Sequence, residues 1–158
     1  MRAFFIIPLL FFIFISTTNR SYGQGSDTPV PFFKNSLQGS LGFAGLYGAA
    51  TSNYERLLTQ PTGKWVTATY LRFGIGAYGS WGGKGNYTYL QYGFFTGKKG
   101  SHFEFSAGPN IGFNEEYSDT PIIAASTGYR MQNPGKHFML RAGIGVPESL
   151  YFGLGWSF

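Results

Sequence analysis

The chain contains no cysteine and few charged residues. The lack of cysteine excludes disulfide bonds, thiolate metal sites and a lipid-modified cysteine. Only 12% of the 158 residues are charged, whereas soluble domains carry roughly 25%. A chain so poor in charge must either bury its apolar surface unusually well or place that surface against lipid.

The charge that is present does not indicate a nucleic-acid partner. The formal net charge is +5, and the basic residues are scattered along the chain. Nucleic-acid binding usually needs a dense basic patch or stripe, so we expect no nucleic-acid partner. What the chain has in abundance is aromatic residues, at 20%, and glycine, with 24 residues.

The chain begins with the features of a secretory signal peptide. A positive charge precedes an apolar run over residues 3–15. This run is shorter than the roughly 20 residues that a membrane-spanning helix needs. Ser21 and Gly23 supply the small residues that precede a cleavage site. We therefore expect residues 1–23 to be removed and the mature chain to begin at Gln24.

The mature chain has the pattern of short strands. Residues 24–35 form a polar, proline-containing lead-in without a strong pattern of its own. From residue 36 to 158, apolar residues alternate with period two between glycine- and proline-rich turns, and none recur at helical spacing. The pattern predicts strands at about 36–46, 48–58, 64–78, 86–96, 101–112, 121–131, 136–146 and 149–158. An even number of strands with short connections is typical of an antiparallel up-and-down β-barrel.

The two faces of the predicted strands differ in an unusual way. In the third strand Leu71, Phe73 and Ile75 share one face, whereas Arg72 and Gly74 lie on the other. Glycine weakens a solvated strand but fits a narrow interior. Bulky residues from eight strands would overfill the lumen of a small soluble barrel. We therefore predict that the apolar face points outward to lipid and that the small polar face points inward.

The strand length fits a transmembrane barrel. A strand of about ten residues rises about 3.3 Å per residue and, tilted by about 40°, spans roughly 25 Å, the height of the apolar band of an outer-membrane barrel. The pattern of residues 71–76 recurs at 140–145, which predicts equivalent roles for the third and seventh strands. We expect an all-β, eight-stranded antiparallel up-and-down transmembrane β-barrel over residues 36–158.

The predicted inward face carries ionisable residues, which we call the lumen charge network. Its members are Glu55, Arg72, Glu104, Arg130 and Arg141. Such groups must pair or remain hydrated, so they predict either a salt-bridged plug or a selective pore. Eight strands leave an interior about wide enough for side chains alone, which favours the plug.

The sequence offers weak candidates for catalysis. His102 and Glu104 lie two residues apart on one predicted face and, with a serine, could form a hydrolytic set. Both are predicted to lie inside the barrel near its inner rim, away from a lipid substrate in the outer leaflet. We therefore predict no catalytic residue.

Metal and cofactor sites are equally weak. His102 and His137 lack the further ligands that a metal site needs. An acidic group in one predicted loop is interpreted as solubilising rather than metal-binding; it comprises Glu115, Glu116 and Asp119. We expect no metal and no cofactor.

The last strand is apolar at alternate positions up to a final aromatic residue. These positions are Leu150, Phe152, Leu154, Trp156 and Phe158. They resemble the C-terminal signal by which the barrel-assembly machinery recognises outer-membrane proteins. The chain also resembles a family of small, largely uncharacterised outer-membrane β-barrel proteins at residues 53–56, 96–99, 102–105, 128–130, 138–143 and 153–158. The resemblance implies a barrel fold and an outer-membrane location, and it implies no activity.

These observations together predict a non-catalytic, integral outer-membrane barrel with a structural or surface-interaction role. Its expected partners are outer-membrane lipid and the barrel-assembly machinery, and we expect a monomer. Two alternatives are a lipid-modifying outer-membrane enzyme and a narrow channel. A third is a soluble, secreted ligand-binding barrel.

Overall fold

The fold is known from a computed structural model that describes residues 30–60, 65–116 and 120–158. The predicted signal peptide, the first part of the lead-in and Asp119 lie outside these residues. Within them, no helix has the length and apolar character that crossing a bilayer would require.

Eight antiparallel strands form one closed barrel. They are β1 (Asn35–Ala44), β2 (Tyr47–Thr59), β3 (Val66–Ser80), β4 (Gly83–Lys98), β5 (Ser101–Glu116), β6 (Ile123–Gln132), β7 (Phe138–Val146) and β8 (Ser149–Ser157). Each strand pairs with the next in sequence, and β8 returns to pair with β1. The prediction of an all-β, eight-stranded up-and-down barrel is confirmed.

The barrel has two ends, which carry different connections. The end at which β1 starts and β8 finishes, here the terminal end, also holds the β2–β3, β4–β5 and β6–β7 connections. The opposite, distal end holds the β1–β2, β3–β4, β5–β6 and β7–β8 connections. Three of these four distal connections contain only two residues. The turn between β1 and β2 lies at residues 45–46.

Two predicted turns are shorter than the sequence suggested. The glycine-rich stretch 79–85 was predicted as a turn, but Ser80 pairs directly with Gly83. The stretch 114–120 was predicted as a loop, but β5 continues to Glu116, which faces Lys84 across the ladder. Backbone hydrogen bonds extend both ladders because they need no particular side chain.

Burial alternates along the strands as a barrel requires. In β2, where the sequence alternates least clearly, Ala49, Thr51, Asn53, Glu55 and Leu57 are all buried, and each residue between them is exposed. The inward side chains come from every strand and meet in the lumen. The barrel therefore has a largely polar lumen, with most of its large aliphatic residues outside.

Glycine makes room for the large inward side chains. At Gly93 an added Cβ would lie 2.5 Å from Cζ of Tyr70 on the neighbouring strand. At Gly76 it would lie 2.6 Å from Cζ of Tyr87. Tyrosine rings can lie flat against the barrel wall only because these positions lack a side chain.

The end of the lead-in packs against the barrel, although residues 30–34 belong to no helix or strand. Phe32 is buried at the terminal end among Leu57, Ala68, Tyr70 and Phe95. The Phe32 N–H donates to Oε1 of Gln60 at 2.8 Å, and Nε2 of Gln60 donates back to the Phe32 carbonyl at 2.9 Å. The segment therefore crosses the terminal end of the barrel and closes it with an aromatic side chain.

Candidate functional site

The lumen charge network lies at the centre of the barrel. Nη2 of Arg72 is 2.8 Å from Oε2 of Glu55 and 3.3 Å from Oε2 of Glu104. Nη2 of Arg130 is 2.6 Å from Oε1 of Glu55. Arg141 completes the set by donating from Nε to Oε1 of Glu104 at 2.6 Å. The structure thus brings all five predicted residues together, and each is at most 2% exposed.

Glu104 is the centre of this network. Its carboxylate contacts Arg72, Arg130 and Arg141, whereas Glu55 contacts only the first two. The Tyr151 hydroxyl also donates to Glu104, at 3.1 Å. Three guanidinium groups face two carboxylates, and both carboxylates bridge at least two cations.

Neutral polar side chains extend the network to every strand. Gln38 donates to Glu55 at 3.2 Å and accepts from Nη1 of Arg141 at 2.9 Å. On the opposite side, Gln132 accepts from Nε of Arg130 at 2.8 Å. Sequence reasoning missed both glutamines, as well as Gln91 and Tyr151. Their inward positions in the alternation could have identified them, but the predicted network was restricted to charged residues.

Aromatic rings pack against the arginines from the terminal side. The guanidinium of Arg130 lies 4.5 Å from the centroid of the Phe95 ring. That of Arg72 lies 4.7 Å from the centroid of Tyr70. Planar guanidinium groups stack well on aromatic faces. The network and the aromatic cluster below it are therefore one continuous packed layer.

The two histidines bind backbone carbonyls. Nε2 of His102 is 3.1 Å from the carbonyl oxygen of Gln132, and its ring packs between Phe32 and Phe95. Nδ1 of His137 is 2.6 Å from the carbonyl oxygen of Ser157. Both rings lie at the terminal end, and neither of these contacts involves a serine hydroxyl. His102 and Glu104 thus have separate partners.

The acidic residues of the β5–β6 region have ordinary surface contacts. Oε2 of Glu116 lies 3.0 Å from Nζ of Lys84, and both side chains are exposed. Glu115 accepts from the backbone N–H of Thr120 at 2.5 Å. Among the described residues, no group of three or more potential ligands could hold a metal ion.

The distal end of the lumen has a different character. Four tyrosines, Tyr47, Tyr78, Tyr87 and Tyr89, form a row of rings with successive centroids 5.9, 6.4 and 6.1 Å apart. The carboxylate of Glu148 is also buried here, and it accepts from Oγ of Ser40 at 2.5 Å. The sequence placed Glu148 in a turn and gave no reason to expect it inside.

The outer surface of the barrel is a continuous apolar belt. Every strand contributes an exposed large apolar residue, with exposed fractions ranging from 38% at Leu71 to 70% at Leu41. The predicted assembly-signal residues are all exposed. Four of them lie on β8, namely Leu150, Phe152, Leu154 and Trp156, and Phe158 follows the strand directly. The backbone of Phe158 still pairs with Asn35, through hydrogen bonds of 2.8 and 3.0 Å.

Exposed charges on the described residues lie toward the two ends of the barrel, although Arg56 stands opposite the belt residue Leu71. At the terminal end they are Lys34, Arg56, Lys99 and Lys136, and at the distal end they are Lys84, Glu115 and Glu116. The remaining charged side chains of known burial face the lumen. The exposed charges at the terminal end are all positive, whereas those at the distal end have both signs.

Comparison with known proteins found no match, so the function has to be inferred from the geometry of the barrel. No family model matches the chain, and no curated protein or solved structure matches it significantly. The class of molecule that the fold defines is a closed, eight-stranded antiparallel barrel with a polar, charge-paired lumen and an apolar outer surface.

Proposed function

We propose that this chain is an integral outer-membrane β-barrel with a structural or surface-interaction role and without catalysis. The observation that carries the proposal is the apolar belt on all eight strands. Soluble monomers rarely expose continuous apolar patches beyond a few hundred Å². A belt around the whole circumference is stable when lipid surrounds it, because lipid leaves no apolar surface in contact with water.

The hydrogen bonding of the backbone supports the same proposal. Only helices and closed barrels satisfy their own backbone groups in a bilayer. The β1–β8 ladder closes this barrel along eight residue pairs, from Ser36↔Ser157 to Phe43↔Leu150. The placement of the exposed charges at the two ends also fits, since both ends of a spanning barrel meet water.

The packed lumen supports a closed barrel. Phe32 and its neighbours occupy the terminal end, and the lumen charge network fills the centre. An ion would have to displace paired side chains to pass. We therefore propose that the barrel does not conduct.

Cell fractionation tests the location. The full chain, produced with its N-terminal segment in a Gram-negative host, should stay with the outer membrane after a carbonate wash. After detergent extraction it should migrate differently on a gel before and after boiling, because a closed barrel resists unfolding by detergent alone. Recovery in the soluble periplasmic fraction would instead support the secreted ligand-binding barrel.

A charge placed on the belt should be strongly destabilising if lipid covers that surface. Phe73 lies at the middle of β3 and is 50% exposed. The change Phe73→Arg should lower the free energy of unfolding in vesicles by about 2–4 kcal/mol, as expected for arginine near the bilayer midplane. Trp81→Arg, in the exposed distal turn, is the matched control and should change it by less than about 1 kcal/mol. Urea titration of the vesicle-inserted protein measures both, and equal small effects would indicate that water covers the belt.

The proposed assembly signal makes a separate prediction. The side chains of Phe158 and Phe138 both point outward at the terminal end, and their exposed fractions are 50% and 49%. Phe158→Ala should slow insertion by purified barrel-assembly machinery more than Phe138→Ala does, because the proposed signal includes only Phe158. Both variants should insert alike into vesicles that lack the machinery. Equal slowing by the machinery would remove the special role of the last residue.

A further inference from the structure

A groove crosses β1, β2 and β3 on the outer surface of the barrel, within the apolar belt. Its volume is about 450 Å³. The outward residues that line it are Leu37 and Gly39 on β1, Ser52 and Tyr54 on β2, and Phe73 and Ile75 on β3. Gly39 and Ser52 stand opposite each other in the β1–β2 ladder, so two small residues lie side by side between larger neighbours.

The glycine of this groove differs from those that make room for tyrosine rings in the lumen. A Cβ added at Gly39 would meet no atom within 4 Å. Gly39 therefore leaves open space on the outer surface and accommodates no other part of the barrel. An apolar chain that lies in such a groove makes more atomic contacts than one that lies on a flat wall.

A cation stands at the terminal end of the groove. The groove is lined by two successive cross-strand rows, Gly39–Ser52–Ile75 and Leu37–Tyr54–Phe73, and the next outward row is Asn35–Arg56–Leu71. Successive rows are two residues apart along each strand, or about 6.6 Å. The Tyr54 hydroxyl donates to Oδ1 of Asn35 at 2.8 Å, so the wall of the groove contacts the row that contains Arg56.

Arg56 has an unusual position for a charged residue, since it stands on the outer face opposite Leu71. It is exposed, and no carboxylate among the described residues forms an ion pair with it. A charge on a lipid-facing wall is costly unless polar groups meet it. Lys34, directly before Asn35, is a second exposed cation at this end. An apolar groove that ends at cations is complementary to a chain with an anionic head.

We propose that the groove binds one anionic phospholipid, with an acyl chain along Gly39 and Ser52 and the phosphate at Arg56. A guanidinium group can donate two parallel hydrogen bonds to a phosphate. A zwitterionic headgroup brings its own ammonium group to the same cations, so an anionic lipid is favoured. The inference rests on the proposed membrane function and adds the class of lipid that this face selects.

Native mass spectrometry of the folded barrel in detergent tests the headgroup. Dioleoylphosphatidylglycerol should bind about tenfold more tightly than dioleoylphosphatidylcholine, which has the same chains, as expected for one charge-assisted contact. Arg56→Gln should remove this preference, and Arg56→Lys, which keeps the charge, should retain most of it. Lys136→Gln removes another exposed cation of the terminal end, in the β6–β7 connection, and should leave the preference unchanged.

Gly39→Leu tests the groove separately. The added side chain should fill the groove without disturbing the barrel, and both lipids should bind about tenfold more weakly. Gly48→Leu is the matched control, because a Cβ there also meets no atom within 4 Å and Gly48 does not line the groove. The boiling-dependent gel shift reports whether each variant folds, and Ser52→Leu replaces Gly39→Leu if the latter does not.

Equal affinity of the wild type for the two lipids, or a preference that survives Arg56→Gln, would overturn the proposal. Unchanged lipid binding in the folded groove variant would do the same. A dimer that disappears in Gly39→Leu would also overturn it, by assigning the groove to a second copy of the chain. Failure of the membrane proposal is distinguishable from these results, because the full chain would then be recovered in the soluble periplasmic fraction.

Discussion

Replacing Glu104 with glutamine should lower the free energy of unfolding by about 3–5 kcal/mol, as is usual when one member of a buried ion pair is removed. The carboxylate of Glu104 contacts three arginines, and all of these residues are nearly inaccessible to water. After the change, Glu55 is the only carboxylate left in the network. Among the described residues, Glu104 is the sole carboxylate in contact with Arg141, which then has no counter-charge there. Urea titration of the barrel in detergent, followed by tryptophan fluorescence, measures the loss.

A surface ion pair of the same kind provides the control for Glu104. Glu116→Gln removes the contact with Lys84, and both of these side chains are exposed to solvent. The change should alter the free energy of unfolding by less than about 1 kcal/mol. A loss of similar size in both variants would mean that the network contributes no more than a surface pair.

The coupling between Glu104 and Arg141 can be measured directly. In the variant that combines Glu104→Gln with Arg141→Gln, the loss should be smaller than the sum of the two single losses, because the second change removes the unpaired charge left by the first. Strictly additive losses would contradict the contact at the centre of the lumen.

Phe32→Ala should lower the free energy of unfolding by about 3–5 kcal/mol, the usual range for a buried phenylalanine. The Phe32 ring fills the terminal end against Leu57 and Phe95, and its removal leaves a cavity that the surrounding β-sheet cannot easily close. Phe33→Ala is the neighbouring control. The Phe33 ring is only half-buried and stacks on His137 with a centroid distance of 4.4 Å, so its loss should be clearly smaller. Equal losses would mean that Phe32 does not close the barrel.

Phe32→Ala also separates the two layers that close the lumen. The lumen charge network remains in this variant, so planar-bilayer recordings should show no stable open state for either the wild type or Phe32→Ala. Steady conductance in Phe32→Ala alone would show that Phe32, and not the network, is the barrier. Steady conductance in the wild type would favour the channel alternative.

The strand pattern could be predicted from the sequence because alternate residues face two different environments, the lumen and the outer surface. In β3 the change from Leu71 to Arg72 to Phe73 marks the two faces without ambiguity, and Arg72 does lie in the lumen. The recurrence of the same pattern in β7 also has a structural counterpart, since Arg141 lies in the lumen as well. The number of strands and their order follow from this alternation and from the short turns.

The remaining features depend on contacts between distant residues. The extension of β4 to Gly83 rests on backbone pairing, which glycine-rich sequences hide. Phe32 appeared to be one aromatic residue in a polar segment, and only the cavity between Leu57 and Phe95 gives it a place. Glu148 was predicted only as a turn residue, because the space that Gly42 leaves on another strand is not visible in the local sequence.

The seam between β1 and β8 has a consequence for the order of folding. All other strand pairs join neighbours in sequence, so each hairpin can form locally and add to the previous one. The seam alone joins the two extremes of the barrel, from Ser36↔Ser157 onward, and the entropic cost of closing a loop rises with its length. The seam should therefore be the last ladder to form. Until it does, both edge strands present unpaired backbone groups, and a second chain could add to either edge. The interval before closure is thus the period in which this protein is most exposed to aggregation.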